Sequence, residues 1–266
     1  MASKMSGPGM LYVTSKIARK DLMDYDIYMN WCETFSSLYQ VANIDRYDND
    51  HIAEIMQTSG IHTAFRYIDT NKDALKPYLA FYPMPDIAFT QGEEFRKISV
   101  HSKLLPGTGL CYDLADIDVR YYGLTENGER KGGPKQDPAP CLVTVAIEPD
   151  AGSGLTNDLI DEWYRTTQAE RISQIPGYQR TTRYKLLYAR TNAQSRALKG
   201  LPTTNEPAPE PPTWQAIHEF DRVVQPEELQ PLKGAEKTKE LLSKTKETEF
   251  NIFRLAKAFG EKRFFD

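Results

Sequence analysis

The 266-residue chain is poor in the side chains that usually announce a reactive centre, with three cysteines and four histidines. Cys32, Cys111 and Cys141 show no paired metal spacing, and an odd count describes no closed disulfide framework. The histidines at 51, 62, 101 and 218 form no His-x-His or His-Glu-x-x-His arrangement, so no metal site is expected. No Gly-rich phosphate loop follows a strand and no Gly-x-Ser-x-Gly elbow occurs, which argues against nucleotide-dependent and serine-hydrolase chemistry. An excess of one charge is missing too. The 33 Lys and Arg against 37 Asp and Glu leave a net charge of −4, mixed along the chain, so neither nucleic acid nor an anionic membrane is an expected partner. No apolar run approaches a bilayer span and the amino terminus has no apolar leader segment; a reducing, cytoplasmic setting is expected.

What the chain does have is a repeat. Trp163-Tyr164-Arg165-Thr166-Thr167-Gln168 leads on to Gly177-Tyr178 and Arg183-Tyr184. Subtracting 117 from these positions gives Tyr47, His51, Gly60, Ile61, Arg66 and Tyr67. The match fails at the tryptophan: its first-half counterpart is Trp31, fifteen positions early (163 − 31 = 132; 132 − 117 = 15). Repetition of long segments over such a distance indicates two duplicated half-domains rather than a short-period solenoid.

Each half reads as strand, helix, strand, strand, helix, strand. In the first, strands are expected at 10–17, 61–68, 78–82 and 115–122. The helices run from 21–24 toward Thr58, stopped by Gly60, and over 86–98, with Asp86 as N-cap. In the second, strands at 141–147, 180–189, 214–220 and 249–256 alternate with helices over 157–174 and 226–243. Residues 1–124 and 141–266 are thus two halves joined by a linker, 125–140. Within the second, 191–213 is too proline-rich for a central strand or helix and reads as an extended insertion, a spacer in preference to a lid. The order is the ferredoxin-like split motif. One such unit leaves a sheet face bare, and two can close those faces on each other. The expected fold is therefore α+β, two tandem ferredoxin-like βαββαβ repeats forming an intrachain pseudo-dimeric barrel with helices outside. The space between the sheets is the default ligand cavity.

Several segments together resemble the dimeric α+β barrel superfamily, and within it the EthD-like proteins of filamentous fungi. They are Gly7-Pro8-Gly9-Met10-Leu11-Tyr12-Val13, Tyr47-Asp48-Asn49-Asp50-His51-Ile52, Thr58-Ser59-Gly60-Ile61, Pro77-Tyr78-Leu79-Ala80, Leu104-Leu105-Pro106-Gly107, Asp118-Val119-Arg120-Tyr121-Tyr122 and Trp163-Tyr164-Arg165. The resemblance implies a Trp-Tyr-x-x-x-His helix motif with its His near the barrel cavity. This sequence departs from it twice. The second copy has Gln168 at the His position, and in the first copy residues 32–46 separate Trp31 from Tyr47.

Joining Trp31 to Tyr47 restores Trp-Tyr-Asp-Asn-Asp-His and brings the repeats into register. We read residues 32–46 as the translation of an unspliced intron. Trp-Cys-Glu can be encoded with a GT donor at the junction, Ala42-Asn43 with a CTAAC branch point, and Arg46 with an acceptor AG. A true surface insertion is the alternative, since long insertions cost little closure entropy. Inserted within one continuous helix, however, fifteen residues would displace everything beyond by about 22 Å.

His51 is the candidate proton-transfer group, oriented by Tyr47, its i−4 neighbour, or by Asp50; the alternative is a structural, hydrogen-bonded histidine. Arg66 and Arg183 occupy equivalent strand positions, where an inward side chain would bind a carboxylate or enolate and an outward one, the default, would pair with a helix carboxylate. Tyr78 and Tyr82 align with Trp214 and His218 on one strand face, as core or as pocket lining. Trp31, Tyr164 and Gln168 complete the candidate ligand set. The resemblance implies a cofactor-independent enzyme of lyase or isomerase type (dehydration, decarboxylation or cyclisation), or an oxygenase, on an aromatic or polyketide-like molecule, possessing no cofactor. The partner is then a small hydrophobic or aromatic ligand, and the chain a monomeric pseudo-dimer or weak homodimer. A non-catalytic ligand-binding barrel is the other reading.

Overall fold

The computed structural model describes residues 5–33, 51–131, 138–262 and 265. The first half contains β1 (Gly9–Ile17), α1 (Tyr25–Glu33), α2 (His51–Met56), β2 (Thr63–Asp69), β3 (Tyr78–Met84), α3 (Glu93–Lys97), α4 (Cys111–Leu114) and β4 (Ala115–Asn127). The second contains β5 (Cys141–Pro149), α5 (Asn157–Trp163), α6 (Ala169–Ile172), β6 (Tyr178–Arg190), α7 (Asn192–Leu198), β7 (Trp214–Phe220), α8 (Gln230–Gly234), α9 (Glu236–Leu242) and β8 (Thr245–Gly260).

All strand pairs are antiparallel, and they close into a barrel in the order β1-β3-β2-β8-β5-β7-β6-β4. Read by halves, this is the ferredoxin-like order twice, β4-β1-β3-β2 and β8-β5-β7-β6. The last strand of each half pairs with the second strand of the other, β8 with β2 and β4 with β6. Among the described strands, closure leaves no bare sheet edge.

Alternation along the strands sends one set of side chains into the barrel and the other outward under the helices. The inward set, including Tyr12, Phe65, Tyr67, Phe81, Tyr122, Tyr184 and Phe253, forms one core cluster. Phe65 and Phe81 approach to 4.8 Å between ring centroids, and Tyr12 meets Tyr122 edge-on at 6.0 Å. Eight strands enclose a space that side chains just fill. The expectation of a ligand cavity between the two sheets is therefore corrected: aromatic rings occupy that space. Polar inward residues are paired, Arg120 forking onto Glu249 and Arg180 donating from Nε to Glu219.

The helices begin and end for local reasons. Asp24 starts α1 by accepting from the Ile27 amide at 2.8 Å, and Asp86 accepts from Ala88 N at 3.0 Å, as an N-cap should. The turn after Asp86 is a 3-10 segment, Ile87–Gln91, before α3, so residues 86–98 are two short helices. Gly60 is required by a close approach: a Cβ there would lie 2.2 Å from the Phe89 ring. Between α5 and α6 the backbone forms a π-helical turn, Tyr164–Gln168. The 226–243 helix is broken into a 3-10 turn, α8 and α9, and residues 125–127 extend β4 rather than begin a linker. Residues 191–213 are not extended throughout, because α7 opens them on a Thr191–Gln194 capping box. Among the described residues no helix is long and apolar enough to cross a membrane.

Candidate functional site

The outward face of the β4-β1-β3-β2 sheet is incompletely filled. A cavity of about 120 Å³ lies between it and the helices of the same half. Leu11, Val13 and Ser15 of β1, Arg66 of β2, Ala80 and Tyr82 of β3, and Ile117 and Val119 of β4 form its floor. Tyr28 and Trp31 of α1 and His51 and Ile55 of α2 form its roof. Leu198 and Lys199, at the end of α7, complete the wall. Thus a helix from the second half of the chain closes the cavity of the first.

α7 is held there by specific bonds. Asn192 donates to Ala115 O at 2.8 Å and accepts from Ile117 N at 3.0 Å. Arg196 pairs with Asp113 at 2.5 Å, and Lys199 Nζ donates to the carbonyls of Arg96 and Ile98 at 2.5 and 2.7 Å.

His51 and Trp31 meet across the interval that separates α1 from α2. Their rings stack at 5.2 Å with an interplanar angle of 17°. His51 Nδ1 lies 3.1 Å from the carbonyl oxygen of Ser99. A carbonyl only accepts, so Nδ1 carries the proton and Nε2 holds the lone pair. Burial, then the positive charge of Arg66, pull the His51 pKa down to about 4, with Lys199 acting in the same direction and the Ser99 bond against it. At neutral pH the ring is an uncharged base.

Arg66 leaves the sheet on the cavity side. It is 6% exposed, donates from Nη2 to Tyr82 Oη at 2.7 Å, and stands 5.1 Å from the centroid of that ring. The expectation of an outward, solvating or helix-pairing arginine is corrected in its consequence. Arg66 does point away from the barrel interior, but the unfilled space lies on that side. Ser15 Oγ and Tyr28 Oη form a second polar pair in the wall, 2.6 Å apart.

Of the residues expected from the sequence, His51, Trp31, Arg66 and Tyr82 come together here. Tyr78 sits behind them, 4.7 Å from the Tyr28 ring. Tyr47 and Asp50 lie outside the described residues, as does most of 32–46. Tyr164, Gln168, Arg183, Trp214 and His218 do not line this cavity; they occupy the corresponding outward face of the other sheet. There Arg183 is placed over the Tyr164 ring at 4.4 Å and ion-paired to Asp161 and Glu126 at 2.7 and 2.8 Å. Gln168 is buried, and Trp214 Nε1 donates to Asn157 at 3.1 Å. His218, fully buried, bonds Thr181 Oγ1 through Nδ1 at 2.7 Å, and burial lowers its pKa to about 3. Among the described residues, this face of the second half carries an ion-paired arginine where the first half has the cavity.

Sequence reading missed Arg190, Lys199, Ser15 and Tyr28. Lys199 belongs to a segment read as a spacer. Arg190 is concealed by a bulge: Tyr121 pairs with Tyr188 but Tyr122 with Leu186. The extra residue reverses the alternation, so Arg190 shares the outward face of its partner Val119, whereas counting by twos from Arg183 turns it inward.

No family model matches the chain. It is similar to core atranone cluster (CAC) protein 1 of Stachybotrys chlorohalonatus (strain IBT 40285), 24% identical over 181 residues, which are 67% of this chain and 74% of that protein. Among solved structures it is similar to an anthrone oxidase-like protein (TM-score 0.53, 13% identity, 98% of this chain and 96% of that one). A further likeness is to chlorite dismutase from Candidatus Nitrospira defluvii in complex with imidazole (TM-score 0.49, 10% identity, 95% and 92% covered). The likeness to the anthrone oxidase-like structure is one of fold: a dimeric α+β barrel.

Proposed function

We propose that the first-half cavity binds a small aromatic or polyketide-like molecule and moves a proton on it, in a cofactor-independent step of lyase or isomerase type. The observation that carries this is the pairing of His51 with Arg66 in one apolar, aromatic cavity. His51 Nε2 takes a proton from a carbon beside a carbonyl, and the carbonyl oxygen becomes an enolate. The Arg66 guanidinium, held on Tyr82, stabilises that negative charge in a mainly apolar setting. Return of the proton to another position isomerises the ligand; loss of a leaving group completes a dehydration. An engineered cavity of about 150 Å³ admits benzene, so this one encloses about one aromatic ring. The name of the atranone-cluster relative supports a setting in secondary metabolism.

A second reading, ligand binding without turnover, is favoured by the depressed basicity of His51, since a general base works best with a pKa near the working pH.

One experiment separates the two. Aryl ketones with an acidic CH, such as phenylacetone, are incubated with the protein in deuterated water and exchange is followed by NMR. Turnover predicts exchange that falls by about 10²- to 10⁴-fold in His51→Gln, and that is flat above about pH 5 and declines as pH drops through about 4, where the ring takes a proton. Ligand binding with no exchange favours the second reading, and exchange unchanged in His51→Gln removes His51 as the base.

A further inference from the structure

The cavity wall carries charge of one sign. Arg66, Arg96, Arg190 and Lys199 line it, and no Asp or Glu is among its described lining residues. Arg190, the last residue of β6, is 6% exposed. Its Nε and Nη1 are buried with no hydrogen-bond partner among the described residues. Its guanidinium stands 5.5 Å from the centroid of the Tyr121 ring and is hydrogen-bonded to that phenol, which burial keeps protonated, so the contact supplies no full counter-charge.

The chain treats other buried arginines differently. Arg120 forks onto Glu249 at 2.6 and 2.7 Å, Arg180 meets Glu219 at 2.6 Å, and Arg183 has Asp161 and Glu126. On its far side Arg190 borders a groove containing Asp118, Glu210, Glu247 and Glu249. Glu249 is committed to Arg120, Asp118 to Lys76 at 2.7 Å, and Glu210 reaches Lys246 at 3.8 Å. Among the described residues no carboxylate is within ion-pair distance of Arg190. A guanidinium cannot shed its proton to ease burial, and a buried charge left alone is costly.

Lys199 adds a second cation whose hydrogen bonds go to neutral acceptors, the Arg96 and Ile98 carbonyls. Glu54, on α2, is the acid that acts on Lys199 from nearby, and its Oε2 already accepts from Ser99 N at 2.9 Å.

We infer that the ligand of this cavity is an anion, an aromatic carboxylate or enolate whose oxygens accept from the orphan donors of Arg190 beside Lys199. The ring of the ligand lies against Trp31 and Val119. This rests on the reading of the cavity as the ligand site and adds the charge of the ligand and the residue that selects it. Binding and basicity are then coupled. Negative charge beside Arg66 and Lys199 offsets the two cations that depress His51, so the anion raises the basicity of the base it meets.

The test is calorimetric titration of the full chain with benzoate and benzamide, a pair matched in size and differing in charge. Benzoate is expected to bind at least about tenfold tighter, the size of one charge-assisted hydrogen bond. In Arg190→Met and Arg190→Gln the two affinities are expected to converge while that for benzamide stays put. Equal affinities in the wild type overturn the anion and leave the cavity as a ligand site. A preference surviving in both variants overturns Arg190 as the anchor. Binding of neither probe overturns the cavity itself. The wild-type comparison decides the question of charge even where a variant fails to fold.

Discussion

A histidine that stays neutral when buried costs less than one that must carry charge, and the chain uses this twice. His51 and His218 both have pKa values below the ordinary 6.5, at about 4 and about 3, each mainly through burial. A group whose folded pKa is depressed stabilises the fold fully above its unfolded value, and that contribution is lost as pH falls toward the folded value. For His218 the window runs from about 6.5 down to about 3. Across it, the unfolding free energy of the wild type is expected to fall relative to that of His218→Gln by about 1.4 kcal/mol per pH unit at its steepest. Urea titrations at a series of pH values measure this, and parallel profiles for the two proteins would refute it. The variant isolates the imidazole from the carboxylates, which titrate in both. His218 could be placed on the Trp214 face from the sequence, but not its depth. A strand covered on both sides, such as β2, nearly all buried along Thr63–Asp69, shows no contrast of burial to tell one face from the other.

At the scale of elements, local signals were legible and long-range ones were not. Asp86 reads as a cap because its short carboxylate satisfies a free amide two residues on, and β7 occupies Trp214–Phe220, the range expected for it. The bulge that turns Arg190 outward depends on pairing across β4, and the seating of α7 depends on Ala115 and Ile117; neither neighbour is near in sequence. The interval between α1 and α2 gives an element-scale prediction. Trp31 and His51 stack although nineteen residues lie between them (51 − 31 − 1 = 19). In the second copy Trp163 precedes a π-helical turn that ends on Gln168, and a π-turn returns the chain to nearly the same direction after about five residues. With residues 32–46 deleted, His51 becomes the fifth residue after Trp31, and such a turn keeps the two rings together. If residues 32–46 are intron-encoded, the deletion variant is expected to fold with a Tm no lower than the full chain. If they close a loop between fixed helix ends, the gain is at most about 2 kcal/mol. A deletion variant that melts well below the full chain would show that the segment belongs to the fold.

For the whole molecule, the two halves repeat the same strand order but not the same interior beneath their helices. In the second half, Arg183, Tyr164 and two carboxylates fill the outward face. In the first, Arg66 and His51 border open space. Among the described residues, the cavity lies on the first of two sheets of like topology, and a helix from the second half lines it. The repeat in the sequence foretold the barrel, because repetition reports topology. It put the cavity between the sheets, where aromatic side chains lie, because the volumes of facing side chains, and not topology, decide which of several interiors is left unfilled. A ligand of this cavity lies outside the barrel wall, under α1, α2 and α7. Intermolecular NOEs from ring protons of bound benzoate to assigned methyl groups locate it. Contacts are expected to Val13, Ile55 and Val119, which line the cavity; contacts to Leu79, Leu142 and Ile217, which fill the barrel interior, would put the ligand between the sheets instead.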